Sequence, residues 1–122
     1  MNEEVKEKIE QHEIWLKTGG REGVKADLFG LYLAGVDLSN RLLNCANLAG
    51  TNLNGANLAG NNLNGADLTG AYLCNVNFAG ANLSHADLTG AYLEDANLTG
   101  ANINSTLPVS YTHLTLPTIC SV

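Results

Sequence analysis

Three cysteines and three histidines are the thiols and imidazoles that this 122-residue chain offers for soft-metal binding or nucleophilic chemistry. Cys45, Cys74 and Cys120 are an odd set and make no disulfide framework. His12, His85 and His113 follow no ligand spacing. Thr18-Gly-Gly-Arg-Glu-Gly matches no phosphate-binding motif and reads as a linker. Asn97-Leu-Thr and Asn104-Ser-Thr have the pattern of glycosylation acceptors, but the N-terminus, Met1-Asn-Glu-Glu-Val-Lys-Glu-Lys, is charged throughout and has no apolar signal core. Chemistry here depends on whether the fold brings scattered residues together.

Composition narrows what the fold can serve. Six Lys+Arg against twelve Asp+Glu give a net charge of −6, where a general nucleic-acid binder needs a basic face. No apolar run approaches the ~20 residues of a membrane helix. The chain is 45% apolar but only 6% aromatic, and so does not build an ordinary core of large rings. These features point to a small soluble protein, expected in the cytoplasm.

The elements that must position the side chains are repeats of five. From Ala26 to Ser105 the 80 residues divide into 16 pentads whose centres are all large and apolar: Leu28, Leu33, Leu38 and so on through Phe78 to Ile103. Two residues before the centre, ten of sixteen are Ala; one before it, eight are Asn and four Asp; two after it, ten are Gly. Five residues of α-helix rotate about 140°, so the centres would smear around the cylinder instead of forming a stripe. A flat strand fails too, because its faces alternate with period two and five is odd. The chain must turn once per pentad: Ala-x-Leu alternates in, out, in, and the x-Gly pair makes the corner.

Corners of one hand generate a coil. Ala66-Asp-Leu-Thr-Gly-Ala-Tyr-Leu73 recurs unchanged as Ala86 to Leu93, and this 20-residue self-match favours four sides per turn. A ten-residue lag in Ala46–Gly65 leaves a shorter closure open. The inward ladder includes Leu28, Leu48, Leu68, Phe78 and Leu88. Leu31, Arg41, Thr51 and Asn61 replace the small inward residue, and Arg41 and Asn61 fall in one column. A buried Arg is costly unless paired, so that side is expected to be distorted or open to water at its end.

These residues resemble the pentapeptide repeat family, consensus A(D/N)LXX, over residues 26–105. The resemblance implies an all-β solenoid, a right-handed quadrilateral β-helix of about four coils. Solenoids need end caps, and residues 1–25 supply a candidate N-terminal α-helical cap with its linker, similar to the leader found before many such repeats. Asn2 is an N-cap, Glu3 and Glu4 suit the positive helix end, and Gly19-Gly20 stops the helix. Val5, Ile9, His12 and Leu16 form one stripe with Trp15 beside it. Glu4/Lys8 and Glu13/Lys17 are spaced as i,i+4 pairs. Residues 106–122 lose the period and form a non-repeat tail. Within it, Val109–Thr118 resembles a translation of the transposon-derived adapter used in sequencing libraries, which implies that native sequence ends near Leu107 and continues differently.

On such a coil the candidate chemistry disperses. Cys45 and Cys74 fall on outward positions of different sides and read as unpaired surface thiols, and His85 shares the Cys45 column two turns away, roughly 9–10 Å. No catalytic residues, metal or cofactor is expected, and His12 reads as a packed cap residue. The outward columns say more. Positions 27, 47, 67 and 87 read Asp, Asn, Asp, Asp, and positions 32, 52, 72 and 92 read Tyr, Asn, Tyr, Tyr. Asp27, Asp67 and Asp87 with Tyr32, Tyr72 and Tyr92 are the candidate interaction surface, Tyr acting as anchor. The leading expectation is a non-enzymatic scaffold for an unidentified protein partner, with self-association through the open C-terminal coil. The resemblance also implies an alternative, since some members of the family mimic DNA and bind type II topoisomerases such as gyrase. Residues 26–105 carry six acids against Arg41, a net −5. Duplex DNA carries about 11 charges over the ~19 Å of four coils, so the mimic is the weaker reading.

Overall fold

The computed structural model describes residues 1–106, and the tail readings from 107 onward lie outside it. One helix, α1 (Glu3–Lys17), precedes the repeats. Asn2 caps it, its side chain accepting the Val5 N–H at 2.9 Å, and Glu3 and Glu4 lie in the first turn, where the helix end is positive. Thr18 closes it, and Gly19 and Gly20 carry the chain away with positive φ.

The repeats coil. Twelve parallel bridges join residue i to residue i+20, from Asp27↔Asn47 to Asn82↔Asn102. Twenty residues therefore complete one turn, and a corner every fifth residue makes four sides. The ladder alternates two bonds: the Leu28 N–H donates to Asn47 O at 2.8 Å, and the Asn47 N–H donates to Ala26 O at 3.1 Å. Each side contributes a single bridged residue, because the corner arrives before a longer strand can form.

Every corner is left-handed. Ten are Gly; the other six, Asn40, Cys45, Asn75, His85, Asp95 and Ser105, all have φ between 55 and 64°. That column is where the sequence prefers Gly, because an L side chain resists positive φ.

The outward Asn and Asp residues form the other half of each corner. All twelve, from Asp27 to Asn102, accept through Oδ1 the backbone N–H two residues on, at 2.9–3.2 Å. An Asx turn satisfies a donor that faces away from the ladder and bends the chain towards the corner. This local bond, beyond solvation, accounts for the residue type.

The core runs along the coil axis. Leu28, Leu48, Leu68, Phe78 and Leu88 are buried with Val5 and Ile9 of α1 in one apolar cluster. The last centre differs: Ile103 is 52% exposed, with no further turn stacked on it among the described residues.

Arg41 and Asn61 do not distort their side, since the Leu42↔Asn62 bridge continues the ladder there. Arg41 lies at the end of its column and is met by Glu13 of α1. Asn61 is buried and donates through Nδ2 to Leu38 O, while its Oδ1 has no partner.

Candidate interaction face and helix junction

The structure brings the candidate residues into two adjoining columns. Asp27, Asn47, Asp67 and Asp87 are linked by successive bridges, and Asn47 Nδ2 donates to Asp27 Oδ1 at 3.1 Å. Tyr32, Asn52, Tyr72 and Tyr92 are linked in the same way. Tyr72 and Tyr92 stack with centroids 5.1 Å apart and planes 9° apart. Tyr32 faces Asn52 instead of a ring and is 77% exposed.

Between these columns runs a corner of four glycines, Gly30, Gly50, Gly70 and Gly90. It is the one corner column made only of glycine; the other three carry Asn75 and Asp95, Asn40, or Cys45, His85 and Ser105. A Cβ built on Gly50 or Gly90 would meet only the glycine of the preceding turn, at 3.8–4.0 Å. The edge therefore carries no side chains, and a partner's backbone can approach it closely.

The tyrosines occupy the outward position where the turn uses Asn or Asp. A phenol ring cannot supply the Oδ1 of an Asx turn. At Tyr72 the released Cys74 N–H is taken by Asn54 Oδ1 of the preceding turn, at 2.9 Å. The coil accommodates tyrosine there without requiring it.

Among the described residues no group of His, Cys, Asp and Glu is placed to hold a metal ion. Cys45 is an exposed free thiol at a corner. Cys74 departs from the expectation of a surface thiol: it is buried, with Sγ 3.2 Å from Glu94 Oε2. It sits one residue before the corner at Asn75.

The sequence missed what α1 does to the first turn, residues 26–45. In later turns the edge groups bond to the preceding turn: Asn47 O accepts Leu28 N–H, Asn64 O accepts Cys45 N–H, and Asn62 N–H donates to Arg41 O. The equivalent groups of the first turn have no preceding turn, and helix side chains meet them. Lys8 Nζ donates to Asp27 O at 3.1 Å. His12 Nε2 lies 2.8 Å from Asn44 O, and Leu42 N–H donates to Glu13 Oε2 at 3.2 Å. The expected Glu4/Lys8 and Glu13/Lys17 pairs give way to these contacts; among the described residues the salt bridge formed is Glu13–Arg41, at 2.8 Å. Trp15 and Leu16 are half-buried beside Val5, Ile9 and His12, and Trp15 stacks on His12 at 5.5 Å.

Among the described residues no helix is long and apolar enough to cross a membrane. A comparison with curated proteins found no match. Among solved structures, the pentapeptide repeat protein Rfr23 from the cyanobacterium Cyanothece 51142 is 38% identical, with a TM-score of 0.63 over 67% of this chain and 56% of that one. The chain thus spans a little over half the length of Rfr23. The pentapeptide repeat protein alr5209 from Nostoc PCC 7120 is 31% identical, with a TM-score of 0.63 over 80% of this chain and 84% of that one. QnrB1, a plasmid-mediated fluoroquinolone resistance protein, is 24% identical with a TM-score of 0.61 over 75% of this chain and 47% of that one, a likeness of fold alone. The solenoid these neighbours share is a right-handed β-helix. The family model for pentapeptide repeats matches residues 42–80 and 77–106 in eight copies. With the bridged pentads as its structural signature, the chain belongs to the pentapeptide repeat family.

Proposed function

We propose that this protein is a non-enzymatic, cytoplasmic scaffold: a quadrilateral rod of about four coils, capped by α1, that binds a protein partner through the Asp27/Asp67/Asp87 and Tyr32/Tyr72/Tyr92 columns. The observation that carries this reading is that the tyrosines stand where the coil itself prefers Asn or Asp. They flank the all-glycine edge, where a partner can come close. Tyrosine supplies large contact area at low entropic cost, and the acidic column beside it favours a partner with a basic patch. The capping role rests on the helix side chains that stand in for a preceding turn. The domains follow: cap and linker over 1–25, rod over 26–105.

Substituting Tyr32→Asn and Tyr72→Asn separates binding from folding, because Asn restores the residue the turn prefers. Partners captured by the wild-type chain should be lost from the double variant, whose circular dichroism matches wild type and whose melting point is no lower. Equal capture by both proteins would refute the face. The gyrase-binding alternative gets its own arm: the chain is expected to leave DNA supercoiling by gyrase unchanged, and inhibition at stoichiometric protein would favour the DNA mimic.

A further inference from the structure

His12 is fully buried between α1 and the first turn, and both ring nitrogens are committed to backbone groups. The Ala26 N–H donates to Nδ1 at 2.9 Å. Nε2 lies 2.8 Å from Asn44 O, which can only accept. These two contacts fix one neutral tautomer, with Nδ1 bare and Nε2 protonated. A second proton has one place to go, Nδ1, and there it would face the Ala26 N–H donor. Protonation thus removes the Ala26 bond and sets two donors against each other in a site without water access.

We propose that His12 is an acid-sensitive latch: its protonation undocks α1 from the first turn and opens that end of the rod, where Leu28 and the edge carbonyls of Asp27 and Asn44 become available to another chain. The inference rests on α1 being the cap.

The surroundings agree. Desolvation is the largest influence and holds the imidazole below its usual 6.5; the Asn44 carbonyl opposes it, Lys25 of the linker lowers it further, and Glu13 on the same helix raises it. Arg41 of the coil is neutralised by Glu13, and Lys8 is bound to the Asp27 carbonyl. Because the docked ring takes up a proton less readily than a free one, the stabilisation is complete above pH 6.5. It is lost as pH falls from 6.5 through the lower value of the docked ring, and is constant below that.

Amide hydrogen exchange of the whole chain at pH 7.5, 6.5, 5.5 and 4.8, corrected for intrinsic rates, tests the latch. Protection of α1 and of the Ala26 amide should fall with pH below 6.5, at most tenfold per unit for one proton, while the amides of Leu48 to Leu68 keep theirs. His12→Gln, which cannot titrate, should flatten the dependence. Ring nitrogen shifts of His12 in the wild type give an independent reading and should show the Nε2–H tautomer at pH 7.5 and protonation below 6.5. A helix that stays equally protected while the ring protonates would overturn the latch and leave the cap standing. A helix unprotected at pH 7.5 would overturn the cap itself, and the latch with it.

Discussion

Glu13 on α1 holds Arg41 on the first turn through two hydrogen bonds, from Nε at 3.1 Å and from Nη2 at 2.8 Å. The pair is 21% and 27% exposed, so water screens it only in part. The Arg41 guanidinium lowers the Glu13 carboxyl below its usual 4.5, with the Leu42 N–H acting in the same direction. A depressed carboxylate contributes its full stabilisation above the usual value and loses it as pH falls through the docked one. Acid should therefore loosen the junction in two stages, His12 below pH 6.5 and Glu13 below 4.5. Glu13→Gln should cost about 1–3 kcal/mol at neutral pH and remove the lower stage. Urea unfolding of wild type and variant between pH 3.5 and 8 checks both statements; a lower stage that persists in the variant would contradict the assignment.

Phe78 is the one aromatic centre of the ladder and is fully buried. Its neighbours in the same core are leucines, and Leu fits the column above and below. Phe78→Leu should cost less than about 1.5 kcal/mol, and Phe78→Ala about 3–5 kcal/mol. Phe78→Asp should unfold at least its own turn, because the carboxylate would meet only apolar neighbours. Denaturation midpoints rank the three; an Asp variant as stable as wild type would place the side chain outside the rod.

The Asx turns predict a different pattern on the surface. Asn57→Ala removes only the acceptor of the Ala59 N–H, which then turns to solvent, and should cost about 0.5–1.5 kcal/mol. Tyr32→Asn should do the reverse, adding an acceptor to a turn that lacks one and raising stability by up to about 1 kcal/mol. Shifts of opposite sign in thermal midpoint would support the turn as the source of the Asn/Asp preference. Two null results would leave solvation as the better explanation.

The period of five makes the coil legible in the sequence. It excludes helix and flat strand, and the inward Leu, outward Asn and corner Gly each report one constraint of the turn. The helix Glu3–Lys17 was also legible from Asn2, the stripe and Gly19-Gly20. What Lys8, His12 and Glu13 do was not. Their partners lie 14 to 32 residues away and are mostly backbone groups, which a side-chain pattern does not mark. Local spacing favoured Glu13 with Lys17, whereas the fold gives Glu13 a buried-column arginine that needs a partner more. Cys74 misled for a related reason. An outward place in the pentad fixes where the Cα points, while the neighbouring turn determines whether the side chain is covered.

The C-terminal end of the described coil carries the last prediction. In earlier turns N–H groups such as Phe78 and Gly80 donate to the turn that follows, here Asn97 O and Thr99 O. The equivalent donors one turn later, Leu98 and Gly100, and their neighbours Ile103 and Ser105, have no acceptor among the described residues. Ile103 is half-exposed and Leu98 only partly covered beside them. A donor edge next to apolar surface is a template for another chain. We expect the chain to self-associate end to end through this turn, with Ile103→Lys weakening the contact. Ile103→Lys puts a charge into the apolar contact beside the donor edge. Sedimentation at several concentrations reads the outcome. Concentration-dependent association in the wild type, reduced in Ile103→Lys, is the expected result, and a strict monomer throughout would show that this edge is not adhesive.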